Sequence, residues 1–186
     1  MTKPVESQHP KLWNEFRMGS DAAFASLYSA YAGKLYDYGL HFTDDTEMVK
    51  DCVQDLFAKL YVGRKKLGEV ENVKVYMLIS MKNTLFNLFK KEMHHYNIDT
   101  IEPVFDTEFS AESKMIESEE ILAGKKRIER MMEIITPRQR EVLYYRFIEE
   151  LSYEEICGMM QMNYQSVRNL LHRTIGKIRD AAANEK

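Results

Sequence analysis

The residues best suited to chemistry lie near the C-terminal end of the chain. From Asn163 to Arg179 there are four basic residues, Arg168, Arg173, Lys177 and Arg179, and no acidic one. Wound into a helix, Gln165, Arg168, Asn169, His172, Gly176 and Arg179 share one face, with Arg173 at its edge. Val167, Leu170, Leu171, Thr174 and Ile178 share the other and are expected to pack. Reading base edges in the DNA major groove needs long donors at the N-terminal end of such a helix, with cations nearby for the phosphates. Gln165, Arg168 and Asn169 suit base edges; Arg173, Lys177 and Arg179 suit the backbone. A solvated helix in a bundle also has a polar face, so the face alone decides nothing. The context upstream favours DNA. Ser152-Tyr153-Glu154-Glu155 is a capping box that opens a short helix to about Met160. Gln161-Met162-Asn163 makes a three-residue turn, and Asn163 caps a last helix to about Ala182. Together these spell a helix-turn-helix.

A second polar stripe lies mid-chain. Tyr76, Ser80, Asn83, Asn87, Lys90 and Lys91 recur at helical spacing and include no carboxylate. Amides can hydrogen-bond bases along a strand while lysines meet phosphates, but an ordinary solvated face fits the pattern equally well. A third stripe, Asp51, Gln54, Asp55 and Lys59, flanks a buried row and suits either a docking face for a protein or solvent. Catalytic and metal patterns do not emerge. His94 and His95 are adjacent and cannot both face one ion, His9, His41 and His172 have no partner at ligand spacing, and no phosphate-cradling or nucleophile motif occurs. No metal and no cofactor is expected.

These residues must be carried by helices, because 3.6-residue periodicity runs through most of the chain and no alternating strand pattern does. Ser20 caps a helix starting at Asp21, with Phe24, Leu27, Tyr28, Tyr31, Leu35 and Tyr38 on one face. A helix over about Thr46 to Val62 buries Val49, Cys52, Val53, Leu56 and Leu60. Another, over about Asn72 to Lys91, is expected to turn Val75, Leu78, Ile79, Phe86 and Phe89 inward. Thr136-Pro137-Arg138-Gln139 is a strong helix start, with a cap, a proline at the first position and a returning glutamine.

The net charge of −3 hides a division. Residues 1–92 carry +1, residues 93–120 carry −7 and residues 121–186 carry +3. The acidic stretch also loses periodicity, and Ile98, Ile101, Val104, Phe105 and Phe109 are scattered through it. The expected fold is therefore all-α, with two small helical domains, 1–92 and 119–186, joined by an acidic flexible linker over 93–118. Two isolated cysteines, Cys52 and Cys157, read as buried side chains in a reducing cytoplasm. The first ten residues lack a leader's apolar segment and no stretch has the length of a membrane span, so a soluble cytoplasmic protein is expected.

In order, Gly19 to Tyr31, Val53-Gln54-Asp55-Leu56-Phe57, Tyr76 to Asn83, Pro137 to Val142 and Leu151 to Ile156 resemble the motifs of the extracytoplasmic-function group of bacterial sigma factors. The resemblance covers nearly the whole chain. It implies a non-enzymatic protein that binds core RNA polymerase and promoter DNA and is held by an anti-sigma factor. Asp51, Gln54 and Asp55 would face the polymerase. The loop from Arg64 to Asn72 would hold a flipped base of the −10 element. Asn83 and Asn87 would act in reading or melting that element, with Lys90 and Lys91 on phosphate. Arg146, Gln165, Ser166, Arg168, Asn169, His172 and Arg173 would face the −35 element. The acidic linker would thread polymerase channels that otherwise hold RNA. Gln161 stands where the family often has glycine, which implies a turn less tolerant of positive φ. Leu170 replaces a residue often basic, and Asn87 one often aspartate. Met131, Met132, Met159, Met160 and Met162 are candidates for a surface covered by the anti-sigma factor.

Overall fold

The computed structural model describes residues 9–96, 104–106 and 119–184. Every element among them is helical: α1 (His9–Arg17), α2 (Asp21–Leu40), α3 (Thr46–Gly63), a tight turn at Arg64–Lys66, α4 (Val73–Tyr96), α5 (Glu119–Glu133), α6 (Pro137–Leu143), a wide π-helical turn (Tyr144–Ile148), α7 (Tyr153–Met160) and α8 (Tyr164–Asn184). The chain divides into two units, Met1–Pro103 and Val104–Lys186.

In the first unit α2 is central, packed by α1, α3 and α4. Its start follows from the cap: the Ser20 side chain accepts from the Ala23 N–H. Leu27, Tyr31, Leu35 and Tyr38 are buried as periodicity requires. Phe24 and Tyr28 lie at the margin, ring to ring with Phe57 of α3 at 6.0 and 4.8 Å. Gly39 permits a close approach of helices, since a Cβ there would stand 2.6 Å from Val49 Cγ1 and 2.8 Å from Met81 Cε.

Two sequence expectations need correction here. Helix α1 was not foreseen, yet Trp13 and Phe16 are fully buried. On α4 the buried row is Val73, Met77, Leu78, Met81 and Leu85, not the expected set. Of that set only Leu78 is buried; Val75, Ile79, Phe86 and Phe89 are half-buried. Unbranched methionines fill the seam because they adapt to irregular gaps. Tyr76 follows from the same cause: α1 covers that side, and the Tyr76 ring packs 5.0 Å from Trp13. It leaves the polar stripe.

In the second unit α6 and α7 pack on α8. The Thr136–Gln139 and Ser152–Glu155 capping boxes are both complete, each satisfying two backbone donors. Val142, Tyr145, Leu151, Ile156, Val167 and Leu171 form the core with Met159 and Met160. Those two methionines are therefore packing residues and leave the expected methionine surface, while Met131, Met132 and Met162 are half-buried.

The expected linker is altered at both described ends. Helix α4 continues to Tyr96, past the boundary placed at residue 92. Phe105 is buried in the second unit. The rest of that expectation, over 97–103 and 107–118, with Ile98, Ile101 and Phe109, lies outside the described residues, as do residues 1–8.

Candidate nucleic-acid and polymerase interfaces

The second unit builds its polar face from the turn upward. The Gln161 N–H donates to the Cys157 carbonyl, and the residue sits at φ 52°, ψ 46°. The turn thus adopts the left-handed conformation that a glutamine was expected to resist, because the geometry of the two helices outweighs one residue's preference. Asn163 then caps α8, its Oδ1 accepting from the Ser166 N–H at 2.8 Å. Unpaired N–H groups and the helix dipole make this terminus favourable to phosphate.

From that fixed start Gln165, Arg168, Asn169 and His172 project into solvent along one side, with exposed Arg173 beside them. Ser166 is half-buried at the helix start. The Gln165 amide donates to Asn169 Oδ1 at 3.0 Å, which orders the two exposed side chains together. Val167, Leu171 and Thr174 hold the opposite side; the Thr174 hydroxyl is satisfied by the Leu170 carbonyl at 2.7 Å. Lys177 Nζ lies 3.4 Å from Gln139 Oε1, and Arg179 meets Asp180 at 3.9 Å on an exposed surface where such a pair contributes little.

Arg146 differs from its expected companions. It is half-buried, its Nη1 donates to the Leu151 carbonyl at 2.8 Å, and its guanidinium lies 5.2 Å from the Tyr153 ring centre. It braces the entry to α7, and is not grouped with the row on α8.

In the first unit Asp51, Gln54 and Asp55 stand exposed on the outer side of α3. Asp55 pairs loosely with Lys59 at 3.7 Å. Between them Cys52 turns inward and is fully buried. Burial, followed by the nearby Asp55 and Asp51 carboxylates, pushes its thiol from the ordinary 9.0 up to about 11. Asn83, Asn87, Lys90 and Lys91 are all exposed on α4, at a spacing that keeps them on one side.

The loop between α3 and α4 is held by residues the sequence did not single out. Trp13 Nε1 donates to the Gly68 carbonyl at 3.0 Å, and Arg17 Nε to the Leu67 carbonyl at 2.7 Å. Arg64 stacks on Tyr61 at 4.3 Å, and Asn72 Oδ1 caps α4 by accepting from the Val75 N–H. The available signal was His9, Trp13 and Phe16 at positions i, i+4 and i+7, a buried row on a helix of nine residues. Among the described residues no three His, Cys, Asp or Glu side chains gather to hold a metal ion, and no helix is long and apolar enough to cross a membrane.

Known proteins share sequence and fold with this chain. Residues 125–178, from α5 through most of α8, match the family described as sigma-70, region 4. The chain is 22% identical over 149 residues to the ECF RNA polymerase sigma factor SigM of Bacillus subtilis, covering 79% of this chain and 87% of that one. It is 22% identical over 153 residues to the RNA polymerase sigma factor YlaC of the same organism, covering 79% and 84%. The fold is shared with CnrH, solved with the cytosolic domain of CnrY, at a TM-score of 0.58 and 13% identity over 96% of this chain and 99% of that one. The sigma factor RpoE of Bartonella quintana, solved with the anti-sigma factor NepR, also gives 0.58 and 13% identity, over 88% and 98%. The region-4 match falls on the capped helix-turn-helix, and the sigma relatives align along most of the chain. The chain is similar to RNA polymerase sigma factors along most of its length, and residues 125–178 carry a sigma-70 region 4.

Proposed function

We propose that this protein binds core RNA polymerase in the cytoplasm, recognises the −35 and −10 elements of a promoter with separate units, and promotes melting of the DNA without catalysis of its own. The single observation carrying this reading is the exposed row Gln165, Arg168, Asn169 and His172 on a helix whose N-terminus is capped and whose first sixteen residues, 164–179, include no acid. Such a row enters a major groove with its donors toward base edges, and a well-formed bidentate contact discriminates by about 1–3 kcal/mol. Arg173 faces phosphate beside it, Ser166 offers its backbone at the helix start, and Arg146 supports the motif from behind.

In the first unit, 1–92 in its essentials, Asn83, Asn87, Lys90 and Lys91 follow the separated strand, amides toward bases and lysines toward phosphates. The pinned loop at Arg64–Asn72 receives the flipped base. Extruding a base costs a few kcal/mol, and a loop whose backbone is already held by Trp13 and Arg17 recovers more of that cost. Asp51, Gln54 and Asp55 form the polymerase-facing side of α3. An anti-sigma factor is the further partner, in keeping with the NepR complex of the similar RpoE.

The test is transcription by purified core polymerase from a genomic fragment library, with and without the protein. New starts sharing an upstream motif are expected. No new starts together with no core binding would refute the reading and favour a helix-turn-helix regulator that acts alone.

A further inference from the structure

Two tyrosines join the paired helices across their turn. Tyr153 is the first residue of α7 and Tyr164 the first of α8. Their ring centres lie 5.5 Å apart, with the planes tilted by 46°. The Arg146 guanidinium lies 5.2 Å from the Tyr153 ring centre, and Arg146 is fixed in turn by the Leu151 carbonyl at 2.8 Å. A guanidinium and two rings thus run from the wide π-helical turn to the start of α8. Contacts of this kind hold a ring in one place, and a tyrosine has only two side-chain torsions to fix. Tyr164 is nonetheless 47% exposed.

The hydroxyls of the second unit are treated differently. Those of Tyr144 and Tyr145 donate to Glu149 and Glu141, each at 2.8 Å. That of Tyr164 has no hydrogen-bond partner among the described residues. Tyr164 also stands at the margin of the polar row on α8. Exposed Arg168 and His172 follow it four and eight residues on, and buried Val167 and Leu171 lie on its other side. Where such a row enters a groove, its margin meets the lip of that groove, which is lined by phosphates. Tyrosine hydroxyls are among the groups that donate to phosphate oxygens.

We propose that Tyr164 is a backbone-contact residue of the −35 interface, its ring propped by Tyr153 and Arg146 and its hydroxyl donating to one phosphate of the promoter. The proposal rests on the −35 reading of α8 above. The contact is uncharged, which sets it apart from a lysine or arginine at the same distance. A cation on a phosphate releases counterions and makes binding depend on salt; a hydroxyl does neither. A phosphate contact fixes the register of the helix on the duplex and carries no sequence information. The prop matters because a hydroxyl held in place before binding has little freedom left to lose.

The test uses the full chain assembled with core polymerase, on promoter duplexes that carry the upstream motif. Tyr164→Phe keeps the ring and removes only the hydroxyl. It should weaken binding about two- to twelvefold, the range of one neutral hydrogen bond. The loss should be the same whichever base pair of the −35 element is changed, and the salt dependence should keep its slope. Duplexes with a neutral methylphosphonate at single phosphates locate the contact: one position should weaken the wild type and leave Tyr164→Phe unaffected. Tyr153→Leu removes the prop, and in that background Tyr164→Phe should have a much smaller effect, whereas Tyr153→Phe keeps the ring and should preserve it in full. An effect undiminished by Tyr153→Leu would overturn the prop. Sequence-selective binding that Tyr164→Phe does not alter would overturn the contact alone. A loss confined to one base pair would overturn it as well, and would make Tyr164 a base-reading residue. A wild-type assembly that selects no −35 sequence would sink the promoter reading and the contact with it.

Discussion

Replacing Arg146 with alanine separates bracing from base reading. Its guanidinium donates to the Leu151 carbonyl at 2.8 Å and lies over Tyr153 at 5.2 Å. A hydrogen bond from a charged donor contributes about 1.5–3 kcal/mol, and a partly exposed cation–π contact about 0.5–1 kcal/mol. Leu151 is itself 1% exposed, so the substitution leaves a carbonyl in a poorly hydrated place. The sum is about 2–4 kcal/mol lost from the second unit. A unit of this size shifts by about 4–8 °C per kcal/mol, so its transition should fall by about 8–32 °C in calorimetry of the full chain. The first unit's transition should stay in place. Promoter binding should weaken evenly across sequences, because the whole α7–α8 geometry loosens. Arg168→Ala is the comparison: an exposed side chain whose loss should leave both transitions within about 0.5 kcal/mol of wild type while relaxing preference at one base pair by about 1–3 kcal/mol. An Arg146→Ala protein that melts within about 2 °C of wild type and loses preference at a single base pair would refute the bracing role.

Gln161→Gly relieves a side chain held at φ 52° and should stabilise the second unit by about 0.5–1 kcal/mol in urea titration; a loss of stability would show that the glutamine side chain matters more than its backbone. Gly39→Ala pushes a methyl into Val49 and Met81 and should destabilise the first unit by about 1–3 kcal/mol, with Gly39→Ala in a Val49→Ala background recovering part of the loss; a stability equal to wild type would mean α2 can move away from α3. The Cys52 thiol, raised by burial to about 11, favours the folded state while neutral. That contribution is full below about 9, where the unfolded thiol is also protonated, and is lost as pH rises toward about 11. The urea midpoint of the first unit should fall more steeply between pH 9 and 11 in wild type than in Cys52→Ala, and parallel slopes would contradict it.

The caps were legible because capping is chemistry among neighbours. Ser20, Thr136 with Gln139, and Ser152 with Glu155 each satisfy backbone donors within three residues, and a reader of the sequence has both partners in view. Helix α1 was not legible because its reason lies elsewhere. Nine residues cannot form a stable helix alone, and Trp13 and Phe16 acquire their burial only when α2, α4 and the loop at Gly68 surround them. The inward face of α4 failed for a related reason. Periodicity permits two adjacent rows, and the choice between them was settled by Gly39, whose missing side chain lets α2 approach Met81. The buried Phe105 was read as one of several scattered apolar residues, since nothing local marks a residue whose partners lie about forty residues on.

The polar rows show the same division between local and distant causes. Exposure of Arg168, Asn169 and His172 follows once Val167, Leu171 and Thr174 are buried, because a helix has only one other side to offer. The fate of Arg146 does not follow, since its acceptor is a backbone carbonyl whose position depends on how the chain turns after the wide π-helical segment. Tyr76 leaves its stripe for the same reason, captured by a helix the periodicity did not reveal. The residues drawn into packing are thus ones with a π-face or a forked donor set, able to serve packing and recognition alike. Amides and lysines that have only solvent or a ligand to meet remain where the pattern put them: Asn83, Asn87, Lys90 and Lys91 are all exposed. A recognition surface read from sequence is therefore most secure at its short polar residues. It is least secure at its arginines and aromatics, which is why stability and base preference have to be measured on the same Arg146 variant before that residue is counted as reading DNA.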